Sequence, residues 1–101
     1  MSVKKQYLKS KPECKVTFIL DKELAIDVNK ANLTGDFNSW DETSIPMKKQ
    51  KNGEFSVAIN LEKDKEYQYK FLLDGDNWLN DPHADKFVPN VFQTENSVVI
   101  V

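Results

Sequence analysis

Three stretches of this chain alternate in hydrophobicity with a period of two. Cys14, Val16, Phe18 and Leu20 interleave with Lys15, Thr17 and Ile19. Phe55, Val57, Ile59 and Leu61 interleave with Ser56, Ala58 and Asn60, and Tyr67, Tyr69, Phe71 and Leu73 with Gln68, Lys70 and Leu72. Successive side chains of an extended strand point to opposite faces, so each run predicts a strand with one face on a core. A fourth run, from Asn96 through Ser97, Val98, Val99 and Ile100 to Val101, is rich in the β-branched side chains that suit strands.

Turn chemistry separates the runs. Lys51, Asn52 and Gly53 predict a tight turn before the Phe55 strand, because Asn and Gly tolerate positive φ. Glu62–Lys65 reads as a charged connection, and Asp74, Gly75, Asp76 and Asn77 as a further turn. Pro82 and Pro89 bracket an irregular stretch that is not a central strand. Leu33, Thr34 and Gly35 should end a strand, with Ala25, Ile26 and Val28 belonging either to it or to the connection before it. Residues 21–31 contain helix-forming residues but no capped amphipathic pattern. Six or seven short strands with turn signals every 8–12 residues or so predict an all-β fold, an antiparallel β-sandwich of immunoglobulin type.

The 101 residues suffice for one core. Hydrophobic residues at 40% and charged ones at 30% argue against disorder. The expected organisation is a lead-in over residues 1–12 and a single domain over 13–101. The lead-in carries Lys4, Lys5, Lys9 and Lys11, with Tyr7 and Leu8 expected to dock on the domain. A net charge of −2 gives no reason to expect nucleic acid or an anionic membrane as partner. Cys14 stands alone and alternates with core positions, which reads as a buried, inert thiol and excludes an intrachain disulfide. No apolar stretch resembles a signal peptide or a membrane span, and a cytoplasmic location is expected.

The residues give little for catalysis. His83 is the only histidine, and Cys14 has no second thiol, so a conventional zinc site lacks ligands and no nucleophile is marked for a sole histidine base. Gly35, Gly53 and Gly75 are isolated turn glycines rather than a phosphate loop, and Asp74, Asp76 and Asp81 lack the spacing of a calcium loop. No catalytic residue, metal or cofactor is expected.

Binding is better marked. Trp40 closes the segment Gly35-Asp36-Phe37-Asn38-Ser39-Trp40, and Trp78 follows the Asp74–Asn77 turn. An indole offers a flat apolar face and one polar N–H, and a glucose ring matches it with an apolar C–H face and a polar rim. A tryptophan taken alone is more often a core or rim residue. Lys70 lies between Tyr69 and Phe71, and if they face the core it projects from the outer sheet face. There it is either a ligand donor or a solubilising charge.

The motifs Gly35–Trp40, then Tyr69-Lys70-Phe71 with Asp74 and Gly75, then Trp78 with Asp81 and Pro82, and finally Asn96-Ser97-Val98-Val99 stand in one order and spacing. In this the chain resembles carbohydrate-binding module family 48 over residues 14–101. That family includes the early-set domains of isoamylases and branching enzymes and the glycogen-binding domain of AMP-activated protein kinase β subunits. The resemblance implies an immunoglobulin-like early-set sandwich of about seven strands. It also implies glucan stacking on Trp40 and Trp78, with hydrogen bonds from Lys70, Thr94 and Asn96 and an apolar contact from Phe92, where kinase subunits usually carry leucine. The expected function is non-catalytic binding of α-glucan such as glycogen, starch fragments or maltodextrins. The alternative is an accessory module that docks on a separate glucan-metabolising enzyme or kinase without binding sugar. The chain has no room for a catalytic barrel of about 250 residues.

Overall fold

The alternating runs become the long strands of two antiparallel sheets in the computed structural model, which describes residues 3–91 and 94–101. The strands are β1 (Val3–Tyr7), β2 (Glu13–Leu20), β3 (Ala31–Gly35), β4 (Lys48–Lys49), β5 (Phe55–Glu62), β6 (Glu66–Leu73), β7 (Asn77–Leu79), β8 (Lys86–Pro89) and β9 (Glu95–Ile100). The first sheet runs β1-β2-β5-β4 and the second β3-β6-β9-β8, with β7 hydrogen-bonded to β6. The architecture is the all-β sandwich that the period-two pattern predicts.

The inner faces supply the core. Val16, Phe18 and Leu20 of β2 meet Leu33 of β3, Tyr69, Phe71 and Leu73 of β6 and Val99 of β9. Phe18 packs against Tyr69 with ring centroids 4.9 Å apart and an interplanar angle of 65°, an edge-on arrangement suited to the ring quadrupoles. Cys14 is fully buried in this core, as its alternation predicts.

Residues 3–7 of the N-terminal segment form an edge strand. β1 pairs with β2, Val3 opposite Phe18, and Lys5 bridges at 2.8 Å to Asp85, the residue before β8 of the other sheet. Residues 22–27 are turns whose bonds run from Leu24 N to Asp21 O and from Ala25 N to Lys22 O, so Ala25, Ile26 and Val28 belong to the connection rather than to β3. The stretch between Pro82 and Pro89 contains one short edge strand, β8, where a proline lacking an N–H is tolerated. The turn after β4 has Gly53 at φ +96°, and Asn52 Oδ1 accepts the Glu54 N–H at 3.0 Å, the local bonding that favours Asn there.

One departure from strict alternation positions the site. Thr34, Leu72 and Val98 are at most 1% exposed although they lie on the outer face of the second sheet. Their cross-strand partners on that face are Lys70, Trp78 and Gln68. Something covers this face, and the covering is the candidate site.

Candidate functional site

Trp40 is held by a turn that begins where β3 meets β6. Gly35 lies opposite Tyr69. A Cβ on Gly35 would collide with the Gln68 carbonyl oxygen and would lie 2.8 Å from the Phe37 ring and 2.9 Å from Tyr69 Cβ. Glycine is therefore required here for close approach. After it, Asp36–Asn38 makes a single 3₁₀ turn. Ser39 and Trp40 then adopt left-handed φ values of 56° and 58°, a costly conformation for two consecutive non-glycine residues.

The turn is braced by side chains. Asn38 Oδ1 accepts the Gly35 N–H at 3.0 Å, and its Nδ2 donates to Asp41 O at 3.1 Å and Ser44 Oγ at 3.0 Å. Asp36 Oδ1 accepts the Trp40 indole N–H at 3.0 Å, while its Oδ2 accepts the backbone N–H of Gln68 on β6 at 2.9 Å. Trp40 N donates to Gly35 O at 2.9 Å.

Trp78 sits on β7, across from Leu72, and 41% of it is exposed. The β6–β7 turn is fastened from outside: Asp74 Oδ1 accepts the backbone N–H groups of Asn29 and Lys30 at 2.9 and 3.0 Å. The two indoles lie with ring centroids 6.5 Å apart and planes tilted by 56°.

Lys70 does project from the outer face between buried Tyr69 and Phe71. It makes no ion pair among the described residues. Thr94 and Asn96 arrive from the β8–β9 hairpin. Trp40, Lys70, Trp78, Thr94 and Asn96 line one open cleft of about 1180 Å³. Five of the six residues singled out in the sequence are thus brought together; Phe92 lies outside the described residues.

The same cleft is lined by Gln68, Pro89, Asn90 and Val91, which sequence reasoning missed. Gln68 was within reach of it, because it shares the outer face of β6 with Lys70. Asn90 carried no such signal: it enters the site only because the hairpin closes. Its Nδ2 donates to Thr94 Oγ1 at 2.8 Å and to Asn96 Oδ1 at 3.0 Å, and Asn96 Nδ2 donates to Gln68 Oε1 at 3.0 Å.

Beneath the cleft, a buried polar network ties β6 to β9 and to the segment after β7. The Tyr69 hydroxyl donates to Asp81 Oδ2 at 2.7 Å, Ser97 Oγ accepts the Asp81 N–H at 2.9 Å, and the Ser97 hydroxyl donates to Asn80 Oδ1 at 2.8 Å. Burial, and then the charge of Asp81, push the Tyr69 pKa well above the ordinary phenol range. A smaller cavity of about 360 Å³ is lined by Val3, Lys4, Lys5, His83 and Asp85, where the His83 ring lies 3.1 Å from Asp21. Among the described residues no three His, Cys, Asp or Glu side chains form a group able to hold a metal ion.

The cleft thus joins two angled apolar plates to a wall of amides, a hydroxyl and an ammonium. Such a surface is chemically matched to a ligand that is apolar on one face and polar at its edge. No curated protein matches the chain. The family model described as the glycogen recognition site of AMP-activated protein kinase matches residues 23–101. The matched span holds every residue of the cleft, and the chain belongs to this family of glycogen-recognition domains.

Proposed function

We propose that the chain is a non-catalytic α-glucan-binding module, for glycogen, starch fragments or maltodextrins, and that Trp40 and Trp78 are its stacking platforms. The observation that carries this reading is the angled indole pair in one cleft with Lys70, Thr94 and Asn96. The centroid separation of 6.5 Å is shorter than two carbon–carbon contact distances of about 3.5–4 Å each. Sugar rings therefore lie across the indoles rather than between them. With the planes inclined at 56°, glucose units stacked on the two rings must turn relative to one another. A helically curving α-linked chain does this, whereas a flat ribbon does not.

The polar partners then have distinct roles. Trp40 gives its N–H to Asp36, so its contribution to ligand is its ring face. Lys70, Asn96 and Thr94 supply hydrogen bonds to hydroxyls. An open cleft buries only part of a flexible ligand, and ordering the sugar costs entropy, so the dissociation constant should fall between about micromolar and millimolar.

Electrophoresis through a native gel containing glycogen tests the reading with wild type, Trp40→Ala and Trp78→Ala. Retarded wild type and freely running variants are expected. Equal mobility of all three would overturn the stacking mechanism and turn attention to a protein partner. Release of reducing sugar from glycogen by the pure protein would overturn the non-catalytic part.

A further inference from the structure

The hydrogen bonds along the cleft wall have a direction, and it starts from a group with no choice. A backbone N–H can only donate. The Thr94 N–H donates to Asn90 Oδ1 at 3.2 Å, which sets the carbonyl side of the Asn90 amide toward it and the NH₂ away. That NH₂ donates to Thr94 Oγ1 and to Asn96 Oδ1. With its carbonyl engaged, Asn96 turns its own NH₂ to Gln68 Oε1. Each amide hands the same sense to the next.

The donors left over all have one character. Gln68 ends the row with its NH₂, and Asn96 retains a second N–H. Thr94, having accepted from Asn90, retains its hydroxyl proton. Lys70, on the same face, has only donors to give. We propose that Asn90 is a positioning residue that polarises this wall into a row of hydrogen-bond donors, so that the carbohydrate is held there through its oxygen lone pairs. The inference rests on the carbohydrate reading above and adds a specificity to it. Ligand hydroxyls that meet these N–H groups and the Thr94 hydroxyl proton act as acceptors.

Calorimetric titration with maltoheptaose tests this with wild type, Asn90→Asp and Asn90→Ala, after thermal melts establish that each is folded. Asn90→Asp keeps the oxygen that accepts the Thr94 N–H and so keeps the hairpin closed. It loses the NH₂, draws the Thr94 hydroxyl proton to itself and forces the Asn96 amide to reverse. The expected result is a loss of about tenfold or more for Asn90→Asp, at least as large as for Asn90→Ala. The deficit of Asn90→Asp should narrow as pH falls through about 4, where an aspartate regains a proton to donate. A residue that merely closes the hairpin gives the opposite order, with Asn90→Ala the weaker binder. That order, or an Asn90→Asp affinity within about twofold of wild type, overturns the inference.

Thr94→Val provides a variant independent of the amides, since it removes the hydroxyl proton and leaves the Thr94 N–H in place. It should weaken binding several-fold, and unchanged affinity overturns the donor role of Thr94. Absence of wild-type binding to maltoheptaose is a different failure, because it removes the carbohydrate reading itself.

Discussion

The carboxylate of Asp36 accepts the indole N–H of Trp40 at 3.0 Å, and its second oxygen accepts the backbone N–H of Gln68. One side chain thus fixes both the orientation of an aromatic plate and its distance from the sheet. An ionised acceptor strengthens both bonds relative to a neutral one. Asp36→Ala should therefore release the ring without removing it. We expect glycogen affinity to fall about three- to tenfold, with Asp36→Asn falling less because it keeps an acceptor. Fluorescence of Trp40 in a Trp78→Phe background reads the release directly, through increased quenching by iodide.

Trp78 stands across from Leu72, which is 1% exposed on a face that ordinarily meets water. Trp78→Ala should weaken maltoheptaose binding by about 1–3 kcal/mol, from the loss of aromatic stacking area. Uncovering Leu72 should lower stability by about 1 kcal/mol in a urea titration. Unchanged binding with lowered stability would assign Trp78 to covering the sheet alone.

Tyr69 is buried beside Asp81, and its pKa is raised. A phenol whose folded pKa lies above its unfolded value contributes stability that is complete below about pH 10 and declines at higher pH, because the unfolded chain ionises there while the folded one holds the proton. The slope from one such group is about 1.4 kcal/mol per pH unit. Comparison of wild type with Tyr69→Phe in urea titrations from neutral to alkaline pH isolates it. The variant should lose stability at neutral pH, through loss of the Tyr69–Asp81 hydrogen bond, and should have the shallower alkaline decline.

Gly35→Ala introduces a methyl group against the Gln68 carbonyl, the Phe37 ring and Tyr69 Cβ, two of them on the central strand β6. The backbone at Gly35 is extended, so the cost comes from crowding alone. We expect a loss of about 2–4 kcal/mol in a urea titration, since neither β6 nor the turn can yield without breaking β3–β6 pairing.

The long strands were legible because period two is a direct imprint of a half-buried sheet, as in Val16, Phe18 and Leu20. β1 was not, because in Val3–Tyr7 only Val3 is even partly buried and the strand is held by its backbone to β2. β4 and β7, at two and three residues, are too short to display a period. In β6, Phe71, Leu72 and Leu73 are all buried, so alternation alone would have left Leu72 facing water. The lining of the cleft was legible where a large aromatic side chain stands in a turn segment, as Trp40 and Trp78 do. It was illegible where the cleft depends on a bond between residues, as with Asn90, which reaches Thr94 and Asn96, and with Asp36, whose carboxylate meets the indole.

Trp40 comes from the turn after β3, Lys70 and Gln68 from β6, and Asn96 from β9, which is zipped onto β6. The cleft consequently has no precursor in any early part of the chain. During synthesis, both tryptophans emerge from the ribosome well before the strand that completes their polar wall. The whole cleft can form only after Glu95–Ile100 has cleared the exit tunnel and paired.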